Sequence, residues 1–236
     1  MRLSTESSID NHKILLFRRT ILSWFQIHGR YFPWRNRKCA PYQVVIGEIL
    51  LQRTRASVAG DFFNKFLMTY PTWLDLAVAE QADLEKFLKP VGLWKRRAMA
   101  LISLARTVVE RGGELPTSRK GLESLPGVGQ YIANSILTIC LDKREPLMDV
   151  NMARLIERFF GPRDLADIRF DRYLQDLSRK ILSSGPAREL NWGMLDFAAI
   201  VCRARNPLHK DCPFAGDCSF YKDLGGTSHE SRYSYK

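Results

Sequence analysis

Hydrophobic residues recur along the chain three and four positions apart, which is the spacing of one face of an α-helix. The clearest stripes lie in four segments: Ile14, Phe17, Ile21, Trp24, Phe25 and His28; Leu101, Leu104, Ala105 and Val108; Ile132, Ile136, Ile139 and Cys140; Trp192, Leu195, Ala199 and Cys202. No convincing alternation of apolar and polar residues extends beyond four positions, as a half-buried strand would require. The pattern therefore predicts an all-α fold.

One continuous apolar run, from Tyr42 to Leu51, has the composition of a strand. Its length and the polar Gln52-Arg53-Thr54 that follows favour a buried helix instead. Glycine and proline separate the periodic segments, so we expect about ten short helices with short connections. The polar stretch from Gly225 to Lys236 predicts a disordered tail.

Composition points to a basic, soluble protein. The 236 residues are 45% apolar and 26% charged, which is enough for one large domain or two small ones. A net charge of +11 indicates a polyanionic partner, with nucleic acid as the first candidate and a membrane surface as the rival. No segment approaches the roughly 18 consecutive apolar residues of a membrane span, and Met1–Asp10 lacks a secretory core. We therefore expect a cytoplasmic protein.

The five cysteines are unevenly distributed. Cys202, Cys212 and Cys218 fall within 17 residues, and in a reducing compartment such a cluster indicates a metal site rather than disulfides. Cys39 and Cys140 stand apart and are expected to be buried thiols.

The most informative motif is the run LPGVG from Leu125 to Gly129, followed twenty residues later by Asp149. Leu125 and Val128 would hold the turn on the core. Gly127 and Gly129 have no Cβ, so we expect their backbone to take positive φ and to admit a phosphate at close range. Such a grip contacts the DNA backbone and not the bases. The alternative is an ordinary helix–turn–helix corner with a glycine cap.

Asp149 stands at the threshold of a predicted helix. A carboxylate beside C1′ of a nucleotide would stabilise the oxocarbenium that forms when the base leaves, and would orient or deprotonate water. The alternative role is that of an N-cap for the helix from Asn151, and the two roles are compatible.

Longer motifs carry a resemblance to a known family. The stretch from Leu125 to Gly161, with FPWR at Phe32–Arg35, GEILLQRT at Gly47–Thr54 and VGLWKRRA at Val91–Ala98, resembles the helix-hairpin-helix (HhH-GPD) glycosylases. The similar branch contains endonuclease III, MutY-type adenine glycosylases and mismatch thymine glycosylases. The resemblance runs from about Tyr31 to Cys218 and implies two helical subdomains, with double-stranded DNA bound across the cleft between them.

The resemblance also implies a division of the chain. Residues 31–143 would form a six-helix barrel with the hairpin, and residues 1–30 would join the C-terminal helices of residues 144–201 in a second subdomain. An iron–sulfur loop would occupy residues 202–218, before a polar tail at 219–236.

Three catalytic positions follow from the resemblance. Asp149 matches the essential aspartate of the family. Glu48 lies in an apolar run that should raise its pKa, so that it could donate a proton to the leaving base; otherwise it reaches solvent or an arginine. The resemblance supports the proton-donor role best for adenine, and for thymine the alternative is that Glu48 positions water or the base. Tyr131 stands where endonuclease III-like enzymes place the Schiff-base lysine. A tyrosine forms no imine with C1′, which predicts a monofunctional glycosylase, unless Tyr131 is simply a packing aromatic.

Gln52 and Leu93 match the residues that fill the gap left by an extruded nucleotide. Without the resemblance they would be a surface glutamine and a core leucine. Lys95, Arg96 and Arg97 are candidate phosphate contacts or a solvated charge run.

The cysteine cluster departs from the family. Its pattern is C-x6-H-x2-C-x5-C, formed by Cys202, His209, Cys212 and Cys218, where the family has four cysteines. A [4Fe–4S] cluster with a histidine ligand is favoured, and zinc or a lost cluster are the alternatives. In the resembling enzymes this loop carries basic residues toward DNA, which here would be Arg203, Arg205 and Lys210.

The resemblance also bears on the target base. Mismatch thymine glycosylases carry tyrosine at the position of Tyr131, whereas MutY-type enzymes usually carry a small hydroxyl residue and have an extra C-terminal domain, for which the sequence after the cysteine cluster is too short. The resemblance therefore implies thymine or uracil opposite guanine as the target. We expect a monomer that acts on mismatched or modified duplex DNA near the nucleoid, without a membrane partner. The alternatives are a MutY-type adenine glycosylase without its C-terminal domain, a glycosylase for a modified base, and a non-catalytic DNA-binding relative.

Overall fold

The computed structural model describes residues 10–225. This part of the chain contains twelve α-helices and no β-strand, so the all-α prediction is confirmed. The helices are α1 Asn11–His28, α2 Pro41–Leu51, α3 Ala56–Thr69, α4 Trp73–Ala77, α5 Gln81–Leu88, α6 Trp94–Glu110, α7 Arg119–Glu123, α8 Gln130–Ser135, α9 Val150–Phe160, α10 Arg172–Leu182, α11 Ala187–Ile200 and α12 Ser219–Asp223.

Shorter helical turns complete the fold. A π-helical turn, Ile136–Cys140, continues α8. Turns of 3₁₀ type lie at Pro33–Arg35, Lys89–Val91 and His209–Asp211. The polar N-terminal stretch up to residue 9 lies outside the described residues, and so does the predicted disordered tail of residues 225–236 apart from Gly225.

The chain divides into two compact units. The middle unit is Tyr31–Leu147 and contains α2 to α8. The terminal unit combines Met1–Arg30 with Met148–Lys236 and contains α1 and α9 to α12.

The middle unit is built around apolar helix faces. The run from Tyr42 to Leu51 forms α2, as predicted, and nearly all of its side chains are buried. Helix α6 packs against α4 and α5, and its predicted stripe is confirmed because all of its members are fully buried: Leu101, Leu104, Ala105 and Val108. Gly47 of α2 lies directly against the buried indole of Trp34.

An aromatic cluster forms the core of the terminal unit. Phe17 of α1 lies 5.1 Å from both Phe159 and Phe214, measured between ring centroids. Phe197 of α11 lies 5.1 Å from Phe214. Gly193 allows α11 to approach α1 closely, since a Cβ there would lie 2.7 Å from Ile21 Cγ2.

The predicted stripe of α11 was wrong in part. Ala199 is exposed and Leu195 is only half-buried. The buried face of α11 instead includes Leu190, Met194, Phe197 and Ala198. Apolar residues occur on most sides of α11, so periodicity alone does not select the buried face; the close approach at Gly193 does. His28, which the α1 stripe included, is likewise exposed.

Side-chain caps explain where several helices begin. Ser118 accepts a hydrogen bond from the Gly121 amide at the start of α7. The buried Asp171 caps α10 by accepting from the Leu174 amide at 2.7 Å, and it also accepts from the Asp164 and Leu165 amides. These bonds satisfy backbone donors that a helix N-terminus leaves unpaired.

None of the described helices has both the length and the apolar character that crossing a membrane requires.

Candidate active site

The glycine turn joins α7 to α8 in the middle unit. Leu125 and Val128 are buried, as their predicted role of holding the turn on the core requires. Gly127 has φ +74°, in the left-handed region that favours glycine, and the Val128 amide donates to the Leu125 carbonyl at 3.1 Å. The turn is therefore a tight helical hairpin whose shape depends on Gly127.

Gly129 differs from the expectation of positive φ. Its φ is −90° and its ψ −179°, which is extended backbone at the N-cap of α8. No heavy atom lies within 4 Å of the position where a Cβ would be, so Gly129 leaves open space beside the backbone. Gly129 therefore leaves the backbone of the turn open to a ligand, and its dihedral angles are ones that other residues also adopt.

Asp149 caps α9 in the terminal unit, which confirms the simpler of its two predicted roles. Its Oδ1 accepts hydrogen bonds from the amides of Asn151 at 2.9 Å and Met152 at 2.7 Å. Its Oδ2 accepts from Nδ2 of Asn151 at 2.7 Å. The carboxylate is only half-buried, so these three bonds hold it rigidly while leaving it accessible.

The Asn151 amide is itself oriented by Arg154. Nη1 of Arg154 donates to Oδ1 of Asn151 at 3.1 Å, which leaves the Asn151 NH2 group facing Asp149. The buried guanidinium also donates to the carbonyl oxygens of Ala198 at 2.9 Å and Cys202 at 3.0 Å. The chain of bonds from α11 to Asp149 therefore fixes the direction of the carboxylate.

Glu48 lies on α2 and is only 4% exposed. Its neighbours along the helix, Gly47 and Ile49, are also buried. A carboxyl group in such surroundings is a candidate proton donor to a leaving group.

Tyr131 is half-buried at the start of α8 and packs against the core of the middle unit. The packing role considered for this residue is therefore present. Its partial exposure still leaves part of the side chain available to a substrate. No lysine occupies this position, so no amine is present there for an imine.

Gln52 and Leu93 occupy the tips of two loops in the middle unit. Gln52 is exposed at the end of α2, and Leu93 is 47% exposed at the start of α6, which excludes the role of a core leucine. Both tips have unusual backbone: Leu93 has φ +50° and Arg53, next to Gln52, has φ +52°. Non-glycine residues adopt this left-handed conformation only when the surrounding structure enforces it.

Arg97 is not a surface phosphate contact, which corrects one sequence-based expectation. Its side chain is 5% exposed, and burial lowers its pKa, although an arginine stays charged. Its guanidinium donates to backbone carbonyls of both loop tips, because it faces inward from α6. Lys95 and Arg96, in contrast, are exposed.

The four residues of the cysteine–histidine motif lie in the terminal unit. Arg158 donates to the Arg203 carbonyl at 2.8 Å and lies 3.5 Å from Cys202 Sγ, while Cys218 Sγ donates to the Arg158 carbonyl at 3.1 Å. The His209 ring stacks on Tyr221 with centroids 4.8 Å apart. Burial, with the charge of Arg158, lowers the pKa of His209.

The chemical character of these four side chains limits which metal groups they could hold. Burial raises the pKa of the Cys212 thiol to about 11. Across residues 10–225, no three His, Cys, Asp or Glu side chains gather closely enough to hold a single metal ion. By the chemistry of its donors, a set of three thiols and one imidazole suits either an iron–sulfur cluster or tetrahedral zinc.

A profile of the HhH-GPD superfamily of base excision DNA repair proteins matches residues 46–180, more than half of the chain. The chain belongs to this superfamily. The resemblance inferred from the motifs is thereby confirmed, and the hairpin of this HhH-GPD protein lies within the matched region.

Characterised relatives align with almost the whole of this HhH-GPD protein. The thymine-DNA glycosylase of Aeropyrum pernix is 34% identical over 220 residues, covering 91% of this chain and 98% of the relative. The thymine/uracil-DNA glycosylase of Pyrobaculum aerophilum is 37% identical over 212 residues, covering 87% and 92%. The solved structure of a thermostable thymine-DNA glycosylase superposes with a TM-score of 0.82 at 33% identity, covering 90% and 98%.

Sequence reasoning missed the residues that hold the others in place. Asn151 and Arg154 orient Asp149, and Arg97 joins the Gln52 and Leu93 loops. One signal was available: Arg154 and Arg158 stand four residues apart in an otherwise amphipathic segment. An arginine on a buried face has five N–H donors and no acceptor, so it needs carbonyl or carboxylate partners inside the fold.

Proposed function

We propose that this protein is a monofunctional DNA glycosylase that hydrolyses the N-glycosidic bond of thymine or uracil opposite guanine in duplex DNA. The observation that carries the proposal is the rigidly held and accessible carboxylate of Asp149 in a chain of this superfamily. The names of the aligned relatives from Aeropyrum pernix and Pyrobaculum aerophilum support the choice of base.

Asp149 would act on the sugar. When the C1′–N bond breaks, its electron pair leaves with the base and positive charge develops on the sugar. A fixed carboxylate stabilises that charge without reorganising, because three hydrogen bonds already hold it in place. Water then adds to C1′ and loses a proton, and Asp149 is the residue placed to accept it or to orient the water.

Glu48 would act on the base. The departing thymine or uracil carries the electron pair of the broken bond and gains a proton to become the free base. The carboxyl group of Glu48, buried on α2, is a donor of suitable chemistry for that proton. Gln52 and Leu93, at exposed loop tips, would fill the gap that the extruded nucleotide leaves.

A panel of duplexes tests the activity and the absence of lyase chemistry together. We expect base removal from T:G and U:G, less from A:G and A:8-oxoguanine, and strand breaks only after alkali. Tyr131 forms no imine, so borohydride should trap no covalent complex. Single-turnover assays followed by gel analysis with and without alkali provide the measurement.

Two outcomes of that panel would contradict the proposal. Breaks only at adenine would identify a MutY-type activity. Breaks before alkali would mean that another nucleophile replaces the missing lysine. Size-exclusion chromatography with light scattering tests the predicted monomer, and the predicted association with the nucleoid requires a separate localisation experiment.

We further propose that Cys202, His209, Cys212 and Cys218 hold a [4Fe–4S] cluster, which when bound would cross-link the loop without entering the reaction. A histidine ligand raises the reduction potential relative to four thiolates. We therefore expect purified wild-type protein to contain iron and sulfide, and His209→Cys to keep the cluster at a lower potential. Iron analysis, visible absorbance and protein-film voltammetry measure this; a colourless wild type after anaerobic reconstitution contradicts it.

A further inference from the structure

Two exposed loop tips of the middle unit are joined through one buried side chain. Arg97 belongs to α6. Its side chain lies between the Gln52 loop, which follows α2, and the Leu93 loop, which precedes α6. Its Nη1 donates to the carbonyl oxygens of Val91 and Gly92, both at 2.8 Å. Its Nη2 donates to the carbonyl oxygen of Gln52, also at 2.8 Å.

Thr54 links the same two loops through its side-chain hydroxyl. Its hydroxyl accepts from Nη2 of Arg97 at 3.2 Å and donates to the Val91 carbonyl at 2.9 Å. The two loops therefore share a direct bond between Thr54 and Val91 and a bridge through one planar guanidinium. A guanidinium presents its donors in a fixed fork, so it sets the distance between the carbonyls it binds.

The backbone beside each tip has a conformation that needs such support. Arg53 and Leu93 both have φ near +50°, and Leu93 exposes 47% of a leucine side chain to solvent. The left-handed region is unfavourable for a leucine, so this conformation persists only where surrounding contacts offset its cost. The bonds of Arg97 to Gly92 and Gln52, immediately before these two residues, supply that enforcement.

We propose that Arg97 is a positioning residue that locks the Gln52 and Leu93 tips at one separation, so that both side chains enter the DNA duplex together. The proposal rests on the proposed function, because it assigns the two tips to nucleotide extrusion. Arg97 contacts neither the base nor the sugar. Its effect is exerted on how the gap in the duplex is filled, and not on bond cleavage.

The first test uses a duplex that cannot be cleaved. It carries a tetrahydrofuran abasic analogue opposite guanine, with 2-aminopurine as the neighbouring base, so fluorescence reports local unstacking without any chemistry. We expect wild-type protein at saturation to raise the fluorescence, and Arg97→Lys and Leu93→Ala each to reduce the rise. The double variant should lose less than the sum of the single losses, because both changes act on one element.

The second test compares a paired and an unpaired target. Arg97→Lys should slow single-turnover thymine removal from a T:G duplex about 10- to 100-fold, as misplacement of a positioning group does. It should slow removal from an unopposed thymine bulge much less, since that base needs little help to leave the stack. Asp149→Asn, in contrast, should slow both substrates alike.

Arg106→Lys is the matched control. Arg106 also lies on α6 and donates to a backbone carbonyl, that of Ala77 at 3.0 Å, which belongs to α4 and not to either tip. It should behave as wild type in both tests.

The positioning role is overturned if Arg97→Lys gives the same fluorescence rise as wild-type protein. It is also overturned if Arg97→Lys slows thymine removal equally from the T:G duplex and the bulge and lowers the unfolding midpoint. If wild-type protein removes no base from any duplex, the proposed function fails, while the fluorescence test still decides the role of Arg97.

Discussion

Replacing Asp149 with asparagine is expected to slow base removal from a T:G duplex by roughly 100- to 10,000-fold, with the fold intact. Asparagine caps helices nearly as well as aspartate, so α9 keeps its N-terminus. The new amide has no charge to stabilise the developing oxocarbenium. In the wild type, the side-chain NH2 group of Asn151 donates to Oδ2 of Asp149. In the variant, that NH2 group meets either a neutral oxygen or another NH2 group. Single-turnover rates, with the dissociation constant measured separately, quantify the loss.

Asp10→Asn is the control for this variant, because Asp10 also caps a helix and accepts from a backbone amide two residues on, that of His12. It lies at the start of α1 and has no assigned role in the reaction. We expect wild-type rates from Asp10→Asn. A rate for Asp149→Asn within threefold of wild type, at unchanged stability, would reduce Asp149 to a helix cap and remove the catalytic proposal.

Gly47→Ala is expected to destabilise the protein by about 3 kcal/mol, the upper part of the range for overpacking a core. A Cβ at position 47 would lie 2.3 Å from Cγ and 2.4 Å from Cδ2 of Trp34, whose indole is fully buried. Those atoms belong to a rigid ring, so the ring or α2 must move. Movement of α2 would also displace Glu48, and base removal should slow in the protein that remains folded. Urea unfolding measures the change in free energy.

Gly60→Ala, in the same unit, is expected to stabilise the protein, in contrast to Gly47→Ala. Gly60 lies within α3, and no heavy atom is found within 4 Å of its Cβ position. Alanine there should raise the free energy of unfolding by about 0.5–1 kcal/mol through helix propensity. If both alanine variants were equally stable, the close contact between Gly47 and Trp34 would not constrain the fold.

The local predictions succeeded where a short pattern contains the physical cause. The apolar run from Tyr42 to Leu51 is too long and too uniformly apolar for a half-buried strand, and it forms the buried helix α2. The hairpin required a glycine with positive φ, and Gly127 supplies it. Asp149 was placed at a helix start by sequence and caps α9. Each depends on residues within one or two helical turns.

Other features depend on partners that are distant in sequence. Gly129 was expected to have positive φ, but its conformation follows from the N-cap of α8. Ala199 was assigned to a buried stripe and is exposed, since the packing of Gly193 on Ile21 selects another face of α11. Arg97 was considered a phosphate contact because it stands in a basic run. It is buried instead, and it donates to the carbonyl of Gln52, which is 45 positions away in the sequence.

The sequence by itself determined the helical class and the hairpin, because periodicity and turn chemistry act over a few neighbouring residues. It also singled out Asp149 as the candidate catalytic carboxylate, through its spacing from the hairpin and the resemblance to the family. Only the tertiary structure decided which arginines turn inward, how Asp149 is oriented through Asn151 and Arg154, and which loop tips are held together. Those outcomes depend on carbonyl groups that folding brings close from distant positions, and a backbone carbonyl has no signature in the sequence.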